Sequence, residues 1–274
     1  MSLLKKFWGF RMFETIPHPT HQNTCSIYKL MLKAFRRYRQ KLIRENRTTQ
    51  YLLYAIGEIM LVVIGILIAV QINNWNEERR LKNVELQTLI EIRSSLATNL
   101  AEVQTMSKVH EAQVAQFNVL IDHVEQNLVY HDSLESAMAQ IFGWYTPLFD
   151  YAPYETLKAR GIELISNDTI KKNIVAVYEK VIFRITNGLE RFESGNSTAV
   201  VLPYFAKNFE LDQAIPPKVK ANDYEALRKD KEYKNVLKLL VGVRTFGIQL
   251  CKGSGQGIEA VITQLDKEIA KLED

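Results

Sequence analysis

The stretch from Tyr51 to Ile72, YLLYAIGEIMLVVIGILIAVQI, constrains this chain more than any other, because its 22 residues carry a single charge, Glu58. As a helix rising about 1.5 Å per residue it reaches roughly 33 Å, enough to cross the hydrocarbon core of a bilayer. Thirteen of its residues are Leu, Ile or Val. At about −0.3 to −0.6 kcal/mol each they favour insertion by roughly 4 to 8 kcal/mol, against a cost of about 3 kcal/mol for one acid. The segment is therefore expected to insert despite Glu58. It is longer than the apolar part of a cleaved signal peptide, and no small-residue cleavage site follows Ala69. Gln71-Ile72-Asn73-Asn74-Trp75 instead has the character of a retained interfacial edge, with Trp75 at headgroup level. No second stretch qualifies: Val236 to Leu250 has only 15 residues, includes Lys238 and Arg244, and suits a buried amphipathic helix.

Cut at this segment, the net charge of +4 resolves into +9 over residues 1–50, −1 from Glu58 and −4 over residues 73–274. The basic character belongs to a short tail, so it argues for a topology signal and lipid-headgroup contact, with Arg36, Arg37 and Arg39 at the membrane interface, and against nucleic acid. Between Lys29 and Gln50 there are eight Lys and Arg and one acid, whereas Asn73 to Ile92 has three and four. The positive side stays in the cytoplasm, which exports the C-terminal part. The expected organisation is a basic cytoplasmic tail at 1–50, a transmembrane helix at 51–72 and an exported all-helical domain at 73–274. Met31-Leu32-Lys33-Ala34-Phe35-Arg36-Arg37 is itself a basic amphipathic start, so translation from Met31 is an alternative beginning. Cys25 and Cys251 fall on opposite sides of the span and cannot pair.

The run YLLYAIGEIMLVVIGILIAVQINNWNEERR, preceded by KAFRRYRQKLIREN, resembles the N-terminal signature of a family of uncharacterised bacterial single-pass membrane proteins, a domain-of-unknown-function group. The likeness covers about Met31 to Arg80 and returns more weakly in YETLKARGIELISN, Tyr154 to Asn167. It implies a bacterial inner-membrane protein with a helical exported domain, and brings no activity, substrate, cofactor or catalytic residue.

Past the apolar segment the fold class reads as all-α. From Asn74 to about Gln126 apolar residues recur at helical spacing, among them Leu81, Val84, Ile90, Leu96, Leu100, Val103, Val114 and Phe117, with no Pro or Gly between them. One helix of roughly 50 residues is expected. Short helices follow at Ser133 to Phe142 and around Pro153 to Gly161. Ser166-Asn167-Asp168 offers N-cap chemistry for a helix from about Thr169 to Glu193. Gly195 to Asp223, with three prolines, reads as a looser connection holding one helix at Ala199 to Asn208. Gly253, Gly255 and Gly257 would each weaken an exposed helix by about 1 kcal/mol. Yet the apolar phase runs through them from Val236 to Leu272 without a shift, which favours one long helix, straight or bent, over about Tyr224 to Leu272, packed against the first with its glycines permitting close approach.

Glu58 shares a helical face with Ala55, Gly65 and Ala69, and Gly65-x-x-x-Ala69 is a small-x-x-x-small pair that lets a second helix approach. An acid in a membrane span normally faces protein, so this face is the expected contact with another copy or another membrane protein. Trp144, Tyr145, Phe149, Tyr151 and Tyr154 form an aromatic group in a proline-containing connection. They suit a ligand or partner surface, or the capping of a helical bundle. His110-Glu111-Ala112-Gln113-Val114 lacks the second His of a zinc-protease helix, and His110, His123 and His131 do not share a face, so they read as surface residues. Gly253-Ser254-Gly255 is neither a phosphate loop nor a nucleophile turn. No catalytic set, metal or cofactor is expected. The expected function is assembly or partner binding from a bilayer anchor, the alternative a sensory or small-ligand-binding exported module signalling through a partner protein.

Overall fold

The computed structural model describes residues 48–212 and 218–273, together with Arg37 and Gln40. The rest of the basic tail, including Arg36, Arg39, Cys25 and the Met31 start, lies outside the described residues, while Arg37 is helical and exposed. The chain divides into two units, up to Trp75 and from Asn76 onward.

In the first unit the described chain is the opening part of α1 (Thr48–Glu125). Its apolar side chains point outward on every side: Leu52, Ile59, Leu61, Ile64, Leu67 and Val70 are all exposed. It is one helix long and apolar enough to cross a membrane.

In the second unit α1 continues to Glu125, where a Schellman turn ends it. Asn127 takes a positive φ of 55°, its N–H donates to the Val124 carbonyl, and the Leu128 N–H donates to the His123 carbonyl. Two short helices follow, α2 (Leu134–Ala139) and α3 (Ala152–Arg160), the latter with proline in its first turn and Gly161 at φ 101° closing it. Asn167 then caps α4 (Asp168–Ala176) by accepting from the Thr169 and Ile170 amides.

Beyond α4 the helical path does not stop near Glu193 as the sequence suggests. It continues through wide π turns (Val177–Ile182 and Arg184–Leu189), α5 (Glu190–Asn196), a third π turn (Ser197–Val201) and α6 (Leu202–Asn208). The reason lies in the inward positions, Ile185, Leu189, Glu193, Ser197 and Val201, which fall every fourth residue. In an α-helix such a stripe drifts by about 40° per step. A π turn holds more residues per turn and so keeps the stripe on the core.

The looser connection thus shrinks to an antiparallel hairpin, β1 (Phe209–Asp212) with β2 (Lys218–Ala221), registered Phe209 to Ala221 and Leu211 to Val219. This hairpin departs from an entirely helical fold, and the unit is mostly helical around it. Val219 and Phe209 are buried while Lys218 and Lys220 face out, the period-two pattern that forces a strand here. After α7 (Tyr224–Leu227), the helix α8 (Lys231–Glu273) runs 43 residues without interruption through all three glycines.

The close approach occurs not at Gly253 to Gly257 but at Gly247. A Cβ there would sit 2.4 Å from His110 Nδ1 and 2.7 Å from its Cε1, whereas a Cβ at Gly253 would meet nothing within 4 Å. Gly247→Ala is therefore expected to cost about 1–3 kcal/mol by overpacking, and Gly253→Ala to stabilise by up to about 1 kcal/mol through helix propensity. Thermal unfolding of the two variants should move in opposite directions; equal shifts would mean that His110 yields freely.

The helices enclose two apolar cores. One gathers Leu89, Ile92, Leu96 and Met106 of α1 with Ile174, Ile182, Ile258 and Leu265. The other gathers Phe117 and Leu120 with Met138, Phe205, Val219, Tyr233 and Leu240.

Candidate functional site

On each of the three long helical paths buried polar residues lie between these two cores. His110 and Gln113 lie between Met106 and Phe117, Glu193 and Ser197 between Leu189 and Val201, and Arg244 between Leu240 and Cys251. All five are buried, His110 completely. Arg244 is the hub: its Nη1 donates to Glu193 Oε1 at 2.8 Å, its Nε to Gln113 Oε1 at 2.7 Å and its Nη2 to the Gly143 carbonyl at 3.0 Å. Gln113 Nε2 donates to the same carbonyl at 3.0 Å. One guanidinium thereby ties α1, α5, α8 and the 143–151 connection together.

His110 Nε2 stands 3.5 Å from Glu193 Oε1, too far for a strong hydrogen bond, and neither ring nitrogen has a protein partner among the described residues. Burial, and then the neighbouring Arg244, push the His110 pKa down to about 4, so the ring is neutral at pH 7. Burial pushes Glu193 up to about 7 although Arg244 pulls the other way. Burial also lowers Arg244, opposed by Glu193. For Glu193 and Arg244 alike, desolvation outweighs the attraction within the pair. Glu193 Oε2 and Ser197 Oγ lack protein partners among the described residues and border a cavity of about 10 Å³, room for one water. Cys251, nearby on α8, is buried with its thiol pushed up to about 11, so it is not a nucleophile at neutral pH. Among the described residues no three His, Cys, Asp or Glu side chains converge as metal ligands would.

The reading of the histidines as surface residues is overturned for His110, while His131 is exposed. A buried polar residue in an otherwise acceptable helical stripe gave no separate signal. What could have been noticed is that His110 and Gln113 fall on the same face as Met106 and Phe117.

The aromatic group of the 143–151 connection lies against α1, held by its polar side chains. Tyr145 OH donates to Glu102 Oε2 at 2.8 Å and the Leu148 amide to the same oxygen at 3.1 Å. Asn99 brackets Asp150, accepting from its amide at 2.7 Å and donating to its carbonyl at 3.0 Å. Trp144 Nε1 donates to Glu190 at 3.1 Å. Tyr154 is buried and stacked on Tyr178 at 4.4 Å, with Tyr151 tilted against the same ring at 5.9 Å, and Phe149 packs on the first core. The structure brings Tyr151 and Tyr154 together around Tyr178 and ties Trp144 to α5 instead. In the first unit Glu58, Gly65 and Ala69 are exposed and Ala55 half-buried, a Cβ at Gly65 would meet nothing within 4 Å, and Trp75 is exposed.

One surface feature was missed by the sequence reading. Between the Arg184–Leu189 π turn with α5 on one side and α8 on the other runs an apolar groove of about 650 Å³. Phe192 and Phe246, 49% and 52% exposed, meet edge to face across it at 6.4 Å. Gly188 and Gly242 are among its lining residues.

A mostly helical chain with one long N-terminal apolar helix and a buried polar layer defines a class by architecture rather than by chemistry. Residues 58–199 match DUF6090, a family of unknown function, and the chain belongs to that family. The match runs from Glu58 past Glu193 and Ser197, and Arg244 lies beyond it. No curated protein and no solved structure matches the chain.

Proposed function

We propose that this is a single-pass membrane protein that acts by assembly or partner binding, its basic tail in the cytoplasm and its helical domain exported from a bacterial inner membrane. The observation that carries the reading is the face Ala55, Glu58, Gly65 and Ala69 on a helix whose Leu, Ile and Val side chains from Leu52 to Ile72 are exposed among the described residues. A bilayer covers such a helix without structural cost, but Glu58 within it is stable only beside water or protein. The open surface at Gly65 supplies the close contact that a partner helix needs.

The test is photo-crosslinking in cells from a photoreactive residue at position 58, with adducts identified by mass spectrometry. A self-adduct or an adduct to one other membrane protein, lost in Gly65→Leu, is the expected result. Adducts to lipid alone would overturn the assembly reading. A second reading, a small-ligand-binding exported module, is favoured by the groove between α5 and α8, whose volume lies within the about 300–1,000 Å³ of small-molecule sites.

A further inference from the structure

The geometry points to the groove between α5 and α8 as a binding site for a free long-chain fatty acid, its carboxylate on Arg184 and its acyl chain laid toward Lys238. The proposal rests on the ligand-binding reading and is independent of the contact at Glu58.

The two walls run antiparallel. Asn173 bonds to Gln264 and Glu193 to Arg244, and Leu189 packs on Gly247, so residue numbers rise on one wall as they fall on the other. Arg184 and Leu250 therefore mark one end of the groove, Phe192 sits level with Phe246 near its middle, and Lys238 lies at the other end. From Lys238 to Leu250 is roughly 18 Å of helix, long enough for an extended acyl chain. Between the ends the surface is apolar. Gly242 also lines it, and a Cβ there would meet nothing within 4 Å, so the surface is open at that point.

The charges fit one anion at one end. No acid lines the groove. Lys238 already faces Glu125 at 3.5 Å, whereas Arg184 is exposed with no ion-pair partner among the described residues, and its stem lies over Gly188. A guanidinium receives a carboxylate through paired hydrogen bonds, and the apolar floor then takes the tail. An extended peptide fits less well, because both walls are helices whose backbone groups are already bonded and leave no edge to pair with. Two large aromatic side chains left half-exposed in an apolar groove are the surface such a chain would cover.

The probe is palmitic acid carrying a diazirine at its methyl end, added to membranes holding the full chain, photolysed and mapped by mass spectrometry. Adducts are expected on the peptides containing Phe192 and Leu239 to Phe246. Gly242→Trp, which puts an indole into the groove, should abolish them, and Arg184→Glu should reduce them by at least about tenfold, since it removes the charge-assisted hydrogen bonds and sets a like charge against the carboxylate. Gly242→Trp has room for its side chain and should keep the cooperative melt of the parent. If it does not, Arg184→Glu, a surface change, decides the matter alone. Adducts confined to Leu52 to Ile72 would show bulk lipid contact only and overturn the proposal, as would groove adducts that neither variant changes. A photoreactive residue at position 246 that captures a second copy or another protein would also overturn it. None of these outcomes alters the crosslink expected from position 58, so the two readings fail separately.

Discussion

Glu193→Leu is expected to lower the stability of the helical domain by about 3–5 kcal/mol, because it strands the buried Arg244 guanidinium without an acid and that group cannot release its proton. In a domain of this size that is a fall in melting temperature of roughly 10 °C. Arg244→Met should cost less, about 1–3 kcal/mol for the broken hydrogen bonds, since Glu193 can take up a proton when its cation goes. Glu193 already has a raised pKa, so whatever stability its neutral form contributes is lost as the pH climbs through about 7. The deficit of Arg244→Met should therefore grow in alkali.

The double variant Glu193→Leu with Arg244→Met removes both charges from a site that desolvates them at a loss. It should recover to within about 1 kcal/mol of the parent or exceed it, as replaced buried ion pairs do. Gln113 keeps its own bond to the Gly143 carbonyl in that background. Urea unfolding of the four proteins in lipid nanodiscs measures the cycle. Simple addition of the two single losses would mean that Arg244 and Glu193 are not coupled and that the hydrogen-bonded layer is not what joins the two cores.

The polar layer was the least legible part of this chain, and the reason is physical. The apolar period that marks α8 survives its glycines because Val243, Gly247 and Ser254 all face inward, so the 43-residue helix could be read before the structure was known. The cap at Asn167 and the Pro153–Gly161 frame were legible because they depend on neighbouring residues alone.

On α1, by contrast, the buried face includes Glu85, Thr88, Ser95 and Asn99, while Leu81 and Ile90 are exposed. Thr88 donates to the Val84 carbonyl of its own helix, but Glu85, Ser95 and Asn99 are inside because they hold distant backbone. Glu85 accepts from the Ser166 amide, and Asn99 and Ser95 grip Asp150. Pairings across 50 to 130 residues leave no periodic trace. The π turns were hidden for a related reason, since a stripe repeating every fourth residue looks helical until the drift of an α-helix is counted against it. The hairpin was obscured by its shortness and by the prolines beside it, which read as loop.

His110 provides the sharper test of that layer, through pH. Its folded pKa is depressed to about 4 from an ordinary 6.5, so the fold holds the ring neutral and gains stability wherever the unfolded chain is also deprotonated. That share is fully present above pH 6.5 and is lost as the pH falls through 4. At about 1.4 kcal/mol per pKa unit it amounts to about 3 kcal/mol between pH 7 and pH 4. Glu193 acts with the opposite sign, its share being present below the unfolded carboxyl value and lost as the pH rises through about 7. The parent's own pH profile therefore mixes the two, and the informative quantity is a difference. His110→Leu retains Glu193 and removes only the imidazole, so subtracting its profile from the parent's isolates the ring. The parent should lose about 3 kcal/mol more than His110→Leu on going from pH 7 to pH 4, measured by urea unfolding at each pH in the same nanodiscs. Parallel profiles would mean that His110 reaches water or a counter-charge on acidification and that the layer opens where the structure holds it closed against Gly247.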